Sequence, residues 1–295
     1  MKKVAFYVMN SKGFYVLDEF VKKFGSEAIE YVVSEKDDAV KDDAYNKIMK
    51  LTSSYNIKAF NRKELDLNKE TVFDGIKFAI GWRWLIENER NLIVFHDSKL
   101  PKYRGFAPLV NSLINKESEL SVTALYASEK YDCGDIIDQL TVSVKYPITI
   151  YDAIKKIEPL YFKLIENLFI AYSSNQALSR VPQDEFQASY SLWLDKDDYY
   201  IDWEWPAEKI KLFVDAVGFP FDGAKCLLNK EIVIFEDVDI YHDVIVEHRE
   251  RHIGKIIFFE CGAPVIVCKK GLLKLNRVLD ANKEPMKLKF RSRFY

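Results

Sequence analysis

The sequence predicts an α/β fold, in which a mostly parallel sheet carries helices on both faces, followed by a small, mainly β, barrel-like C-terminal domain. Two observations lead to this prediction. Up to about residue 172, short apolar runs alternate with apolar residues at helical spacing, and such alternation builds parallel sheets that helices cover. From about residue 221 onward, glycines separate short apolar runs instead, which is typical of a small barrel or curled sheet.

The elements of the first half follow in chain order from apolar periodicity. Val4–Met9 is a short apolar run that predicts a strand, and apolar residues at helical spacing predict a helix directly after it. Helices are also predicted over Ala44–Tyr55 and Tyr151–Tyr172, the second long and amphipathic, and a turn and helix over Gly81–Arg90. The further predicted strands are 29–33, 57–60, 76–80, 92–95 and 120–127.

The composition changes near Ser173, where a polar connector begins. We therefore predict three segments: an N-terminal α/β domain over 1–178, a linker and helix over 179–220 that complete the substrate site, and a small β-rich domain over 221–295. The helix is expected over Pro206–Val217. The strands predicted in the last segment are 231–235, 256–259, 264–267 and 272–276.

Composition limits the class of protein. With 295 residues, of which 48% are hydrophobic, the chain is long enough to bury a large core. The formal charge is −2, so the chain lacks the overall basic field that favours nucleic acid, and we expect no nucleic-acid partner. The four cysteines form no C-x-x-C pair, which predicts buried thiols in a reducing compartment and no metal site.

Two further patterns bear on location and cofactors. The opening apolar run is too short for a signal peptide, and no segment approaches the ~20 apolar residues that span a bilayer. We therefore expect a cytoplasmic protein with no membrane partner. The opening also lacks a G-x-G-x-x-G motif, so nothing favours a nicotinamide dinucleotide. Apolar aromatics such as Phe258 and Phe259 are candidates for a dimer surface, and the sequence does not decide between a monomer and a homodimer.

Residues suited to chemistry concentrate in two short segments. The run His96–Gly105, HDSKLPKYRG, begins directly after a predicted strand, and Tyr131–Asp135, YDCGD, follows the strand predicted over 120–127. We expect both loops to open on the same edge of the sheet, where open α/β sheets place their sites. Histidine moves protons near neutral pH, and an aspartate can orient it. The two segments therefore predict one reaction centre.

These two segments resemble the N10-formyltetrahydrofolate-dependent formyltransferases, and the resemblance covers most of the chain. It implies a Rossmann-like catalytic domain with a small C-terminal β-domain. By position in the family's motif, the catalytic residues are His96 and Asp132, while Val94 stands where the family has an asparagine. Asp202-Trp203 and the run Phe219–Ala224 resemble the second half of family members that act on nucleotide-linked amino sugars.

The resemblance implies that a formyl group passes from N10-formyltetrahydrofolate to the primary amine of a nucleotide-linked amino sugar, for lipopolysaccharide, capsule or another surface glycan. His96 would take the amine proton or donate to the oxyanion, and Asp132 would hold the histidine tautomer. Val94 cannot donate. In place of the asparagine, a protonated His96, a backbone N–H, the Ser98 hydroxyl or a bound water would donate to the oxyanion. A replacement is needed because losing one such donor costs ~3 kcal/mol.

Binding residues are predicted on both sides of this centre. Two tryptophans beside an arginine suit a flat pterin, and the family binds its folate at this position. The predicted folate contacts are Arg83, Trp84, Leu85 and Tyr131. The predicted contacts of the nucleotide-linked sugar are Lys102 and Arg104 for a diphosphate, Phe221 for stacking on the base, and Trp203.

Two other functions stay open. A methionyl-tRNA formyltransferase would share the catalytic domain, but it should carry a basic face, and residues 195–243 are rich in Asp and Glu. A noncatalytic folate or nucleotide-sugar binding protein would keep the fold without the asparagine. The presence of His96 and Asp132 favours the enzyme over the binding protein.

Overall fold

The computed structural model describes residues 2–38, 40–64, 73–86 and 90–295, and they divide into two compact units. The first unit takes the described residues of 1–109, 118–144 and 152–192, and the second takes 110–117, 145–151 and 193–295. The segment predicted as a linker is thereby shared, because 179–192 belongs to the first unit and 193–220 to the second.

The regular elements are as follows. The strands are β1 Val4–Val8, β2 Ile29–Ser34, β3 Ala59–Asn61, β4 Ile76–Ile80, β5 Leu92–His96, β6 Arg104–Gly105, β7 Glu119–Tyr126, β8 Ile136–Ser143, β9 Tyr190–Ser191, β10 Ala224–Leu228, β11 Glu231–Tyr241, β12 Ile256–Glu260, β13 Ala263–Val267 and β14 Leu272–Asp280. The α-helices are α1 Asn10–Phe24, α2 Tyr45–Ser54, α3 Pro108–Ile114, α4 Ile150–Ser173 and α5 Ala207–Val217. Short 3-10 helices cover Ser26–Ala28, Arg62–Glu64, Glu185–Gln187, Lys196–Tyr199 and Arg249–Arg251.

Within the described residues, the first unit is built on a seven-stranded sheet with the order β3-β2-β1-β4-β5-β7-β8. The strands from β1 to β5 pair in parallel, whereas β7 and β8 are added as antiparallel strands. The strand order reverses between β1 and β4, which is where open α/β sheets form a crevice at their carboxyl ends. The predicted fold class is confirmed.

Alternating side chains give this sheet two buried faces. On one face Phe6 of β1 contacts Phe20 of α1 with ring centroids 5.0 Å apart, and Phe20 contacts Phe169 of α4 at 4.9 Å. On the other face Tyr7 packs edge-on against Trp82 at 5.2 Å, within a cluster of buried residues. The second face is therefore closed partly by the residues that follow β4.

One predicted arrangement is wrong. The strand β7 runs antiparallel to β5, with His96 opposite Thr123 and Ile93 opposite Tyr126. The carboxyl ends of β5 and β7 therefore point in opposite directions, and the two predicted loops do not leave the same edge. The loop after β7 instead turns back to His96, where the Asp132 carboxylate lies 3.4 Å from the ring.

The elements α3, β8 and β10 were not predicted, nor were the two-residue strands β6 and β9 and the short 3-10 helices. The helix α3 has only seven residues, and β8 is an edge strand with a half-exposed, partly polar face, so neither carries a strong periodic signal. Of the helix predicted over Gly81–Arg90, residues 81–86 are not helical, and residues 87–89 lie outside the described residues. In the described part of the chain, no helix is both long and apolar enough to cross a membrane.

The second unit holds an antiparallel sheet, with the order β10-β11-β14-β13-β12 in the described residues. The last residues of the chain join its two edges. Phe294 N–H donates to Gly254 O at 2.8 Å beside β12, and Tyr295 exchanges two hydrogen bonds with Leu227 of β10, at 2.8 and 2.9 Å. This segment closes the sheet into the predicted barrel-like form. Gly254 allows the closure, because a Cβ there would lie 2.3 Å from Phe294 O.

A buried carboxylate in the second unit makes stability depend on pH. Burial raises the pKa of Asp215 on α5 above its usual 3.8, Lys211 lowers it, and Asp237 and Asp239 on β11 raise it further. The charged form is therefore disfavoured in the folded state. This penalty is absent at low pH, where the carboxyl is neutral in both states, and it grows as the pH rises through the raised pKa.

We therefore expect Asp215→Asn to gain stability relative to wild type as the pH rises above 3.8, by an increment that levels off above the raised pKa. Urea unfolding of both proteins at several pH values measures the increment. Asp197→Asn changes an exposed aspartate of the same unit and is the matched control, whose increment should stay flat. An increment for Asp215→Asn that is flat or shrinks over this range would contradict the prediction.

Candidate active site

A pocket of about 170 Å³ opens beside His96 in the first unit. Val94 and His96 both line it because residues two apart on a strand share one face. Residues that line the pocket come from β4, β5 and β7, and from the loops after β4, β6 and β7. They include Ala79, Trp82, Arg83, Trp84, Leu85, Val94, His96, Phe106, Tyr126, Lys130, Tyr131 and Asp132.

His96 ends β5 and is nearly buried, with 7% of its surface exposed. Its Nε2 lies 2.7 Å from the carbonyl oxygen of Tyr103, so this nitrogen donates its proton to the main chain. Its Nδ1 lies 3.4 Å from Oδ1 of Asp132. A neutral ring with its proton on Nε2 therefore presents the Nδ1 lone pair on the side of Asp132, and a ring protonated at both nitrogens would donate to both oxygens.

Asp132 is held in place by main-chain groups. Gly105 N–H donates to its Oδ2 at 2.9 Å, which leaves Oδ1 facing His96. Two glycines permit this approach. Gly105 has φ +93°, and a Cβ there would lie 2.8 Å from Ser191 O. A Cβ on Gly134 would lie 1.8 Å from Tyr126 O, so no larger residue fits without moving the Asp132 loop.

One glutamine joins the two loops that carry this pair. Gln183 Nε2 donates to the carbonyl oxygens of Asp132 and Gly134, both at 2.8 Å, and its Oε1 accepts from Arg104 Nε at 2.9 Å. Gln183 was not predicted as a site residue, because it lies in the polar connector, which has no regular periodicity. A single sequence carries no signal that separates it from the other glutamines nearby.

Arg104 supports the site from inside the protein. It has no exposed surface, and its guanidinium forms a bidentate pair with Glu185, with both N–O distances 2.8 Å. This pair raises the pKa of Arg104 and lowers the pKa of Glu185. The arginine thus ties the loop after β5 to the segment around Glu185. The predicted contact of Arg104 with a diphosphate remains a prediction, and the donors as placed bond to protein groups.

A second buried network lies next to His96. The carboxylate of Asp97 accepts hydrogen bonds from Lys12 of α1 and from the Tyr161 hydroxyl of α4. Burial, followed by the charge of Asp97, raises the pKa of Tyr161 well above its usual value. The phenol therefore remains a neutral donor, and the network ties the end of β5 to the two helices beneath it.

The residues predicted to contact folate all line this pocket. They are Arg83, Trp84, Leu85 and Tyr131. Trp84 packs edge-on against Trp82 at 5.4 Å, and the ring centroid of Tyr131 lies 5.8 Å from that of Phe106, which also lines the pocket. The geometry thus brings the predicted catalytic pair and this predicted set to one cavity.

The other predicted residues lie elsewhere. Lys102 is exposed outside the pocket lining, with its ammonium 4.9 Å from the Tyr103 ring centroid. Phe221 and Trp203 belong to the second unit, where Trp203 stacks on Phe294 at 6.2 Å. Contact of these three residues with substrate remains a prediction. Ser98, considered as an oxyanion donor, is buried and donates its hydroxyl proton to Lys102 O at 2.6 Å.

Neither the pocket nor any other part of the described chain groups three His, Cys, Asp or Glu side chains in a way that could hold a metal ion. What the arrangement can do is move a proton between a substrate nitrogen and His96, beside a fixed carboxylate. The pocket walls around this pair are flat and largely apolar.

Comparison with known proteins identifies the family. Residues 80–163 match the family model described as formyl transferase, and residues 194–293 match the formyl transferase C-terminal domain. The chain belongs to the formyl transferase family and is a formyl-transferring enzyme. Among its relatives, the methionyl-tRNA formyltransferase of Streptococcus equi subsp. equi is 27% identical over 268 residues, which cover 86% of this chain and 84% of the relative.

Solved structures with the same fold include two N-formyltransferases that were crystallised with a nucleotide or a nucleotide-linked sugar. WlaRD, a sugar 3N-formyl transferase solved in the presence of dTDP and 5-N-formyl-THF, superposes with a TM-score of 0.67 and 20% identity, covering 96% of this chain and 99% of WlaRD. The N-formyltransferase of Helicobacter canadensis, solved with folinic acid and dTDP-3-aminofucose, gives 0.66 and 18%, covering 93% and 99%. At sequence identities of 20% and 18%, the structural similarity shows a shared fold and no more.

We expect Gln183→Leu to lower the free energy of unfolding by about 2 kcal/mol, because it leaves two carbonyl oxygens and an Arg104 N–H without their partner. Urea denaturation measures the loss. Gln187→Leu is the matched control, because the Gln187 side chain is exposed and, among the contacts described, bonds only to the nearby Asp184 side chain. A loss for Gln183→Leu no larger than that of the control would refute the bridging role.

Proposed function

We propose that this enzyme transfers a formyl group from N10-formyltetrahydrofolate to the primary amine of a nucleotide-linked amino sugar, for a surface glycan. The observation that carries the proposal is the single pocket in which His96 and Asp132 lie beside a flat, largely apolar wall. Amide formation at an amine needs a proton acceptor at the nucleophile and a proton donor at the leaving nitrogen, and this pair supplies both.

The pocket suits the donor's pterin. Trp84 and Tyr131 offer flat surfaces, and the charge of Arg83 is already balanced by Asp37, at 2.7 Å between Arg83 NH2 and Asp37 Oδ2. A flat, uncharged heterocycle therefore meets no uncompensated charge at this wall. When bound, the donor supplies a formyl carbon that an amine can attack.

The geometry gives the proton a path. With the Nε2 proton directed at Tyr103 O, the Nδ1 lone pair of His96 takes the proton of the attacking amine. The resulting Nδ1–H then points at Asp132 Oδ1, whose 3.4 Å separation can shorten once a proton lies between the two atoms. The imidazolium returns this proton to the departing folate nitrogen. One proton is taken and one is returned, so the histidine ends neutral.

Because Val94 stands where the family has an asparagine, no side-chain amide at this position donates a hydrogen bond to the oxyanion. The Ser98 hydroxyl is engaged with Lys102 O, which leaves a protonated His96, a main-chain N–H or a water for this role. We propose that the imidazolium stabilises the oxyanion by its charge and not by a hydrogen bond, because both ring N–H groups face protein oxygens while negative charge develops nearby.

Charge supports a sugar acceptor. Residues 195–243 contain thirteen Asp and Glu against five Lys and Arg, and such a surface repels a polyanion. WlaRD and the H. canadensis enzyme, which span nearly the whole chain, were solved with dTDP or a dTDP-linked amino sugar. An amino sugar on a nucleoside diphosphate is therefore the acceptor class that we favour.

The test is release of tetrahydrofolate from N10-formyltetrahydrofolate with a panel of UDP-, dTDP-, GDP- and CMP-linked amino sugars. We expect turnover with at least one sugar, and a loss of about 10²- to 10⁴-fold in kcat for His96→Asn. His248→Asn is the matched control, since His248 is exposed and has φ +51°, a conformation that asparagine tolerates. Binding of folate and sugar without turnover would favour a noncatalytic binding protein.

A second candidate is formylation of methionyl-tRNA. Residues 244–295 contain twelve Lys and Arg against five Asp and Glu, the reverse of the preceding segment, and named relatives have this activity. Exposed lysines at 283, 287 and 289 fall in this stretch. The basic stretch therefore favours a polyanionic partner, whereas the acidic segment before it does not.

We expect methionyl-tRNA to bind weakly and to be a poorer acceptor than the best sugar nucleotide. A gel-shift titration at several salt concentrations, with formylation measured in parallel, checks this, because phosphate contacts give a steep salt dependence. Tight, salt-sensitive binding with efficient formylation would replace the sugar by tRNA.

A further inference from the structure

Two buried carboxylates lie just beyond the carboxyl end of β2, next to the pocket wall. Glu35 and Asp37 each have only 4% of their surface exposed. Burying a carboxylate is costly unless a cation or hydrogen bonds compensate it. Each of these two is compensated by an arginine that also touches or belongs to the wall of the pocket.

Asp37 holds Arg83. Its Oδ2 lies 2.7 Å from NH2 of Arg83 and accepts from Asn10 Nδ2 at 3.4 Å. The Asp37 main chain is itself fixed, because its N–H donates to Asp43 Oδ2 at 3.0 Å. Arg83 is a lining residue of the pocket, so the carboxylate sets where this side chain lies and neutralises its charge.

Glu35 acts on the next residue of the wall through a second arginine. Glu35 Oε2 lies 3.6 Å from Arg62 Nε, while its Oε1 accepts from Asn61 Nδ2 at 3.3 Å. The guanidinium of Arg62 lies over the Trp84 ring, 4.3 Å from its centroid, and a cation over an aromatic face attracts it. Trp84 is thereby held between Arg62 and the edge-on ring of Trp82.

We propose that Asp37 and Glu35 are positioning residues for the donor site, which act through Arg83 and through Arg62 on Trp84. This inference rests on the proposed function, because it takes the ligand of this wall to be the uncharged pterin of a folate. Without Asp37, Arg83 would bring an uncompensated charge to the pocket wall. Without Glu35, Arg62 would no longer be held over the Trp84 ring. Neither carboxylate touches the ligand.

The experiment measures binding of 5-formyltetrahydrofolate, a stable folate, by calorimetry to the full chain. We expect Asp37→Asn and Glu35→Gln each to weaken binding about tenfold, the size of one charge-assisted contact. Steady-state kinetics should show a raised KM for the donor with kcat changed much less. Glu30→Gln is the matched control, because Glu30 lies on β2, just before the two carboxylates in the chain, but in a partly exposed pair with Lys3.

A double-mutant cycle separates positioning from general support. If Asp37 acts through Arg83, then Asp37→Asn combined with Arg83→Gln loses no more affinity than either single variant. Should Asp37→Asn fail to fold, Arg83→Gln tests the same contact, because Arg83 is partly exposed. A lowered Tm with unchanged affinity would overturn the inference and leave the proposed function intact. A wild-type protein that does not bind the folate would overturn both.

Discussion

The hydrogen bond from Gly105 N–H to Asp132 Oδ2 connects the two loops that form the candidate centre, and most of the surrounding structure serves to make that contact. It leaves Oδ1 for His96, whose other nitrogen is committed to Tyr103 O. Gln183 then bonds to both loops from a third segment. Because main-chain groups and the partly buried Gln183 amide hold the two loops, the histidine and the carboxylate lie side by side without having to be drawn together by substrate.

The sheet supplies the frame for this contact, but in two different ways. The parallel strands deliver the residues after β4 and β5 to one edge, which places the Arg83 and Trp84 wall beside His96. The antiparallel β7 cannot do the same for Asp132, so a loop must return along the sheet face. The parallel strands thus position one part of the site at the carboxyl edge. The loop after β7, whose tight path requires Gly134, folds back to position the other part.

The sequence was most informative where periodicity or a motif carried the signal. The parallel strands, the long helices and the pairing of His96 with Asp132 were all predictable, the last from a motif. The direction of β7 was not, because an apolar strand reads the same in either direction. The role of Gln183 was not predictable either, because it depends on three long-range hydrogen bonds. The bidentate pair of Arg104 with Glu185 was also not predictable, because the two residues lie 81 positions apart in the chain.

The closure of the small barrel by Phe294 and Tyr295 has a consequence for how the protein is made. Until these residues leave the ribosome, β10 and the segment before β12 present unpaired main-chain groups, and exposed strand edges recruit other chains. Every residue of the first unit has been synthesised about a hundred residues earlier. During translation the α/β unit can thus be complete while the barrel is still an open sheet, so the exposed strand edges of the barrel are protected last.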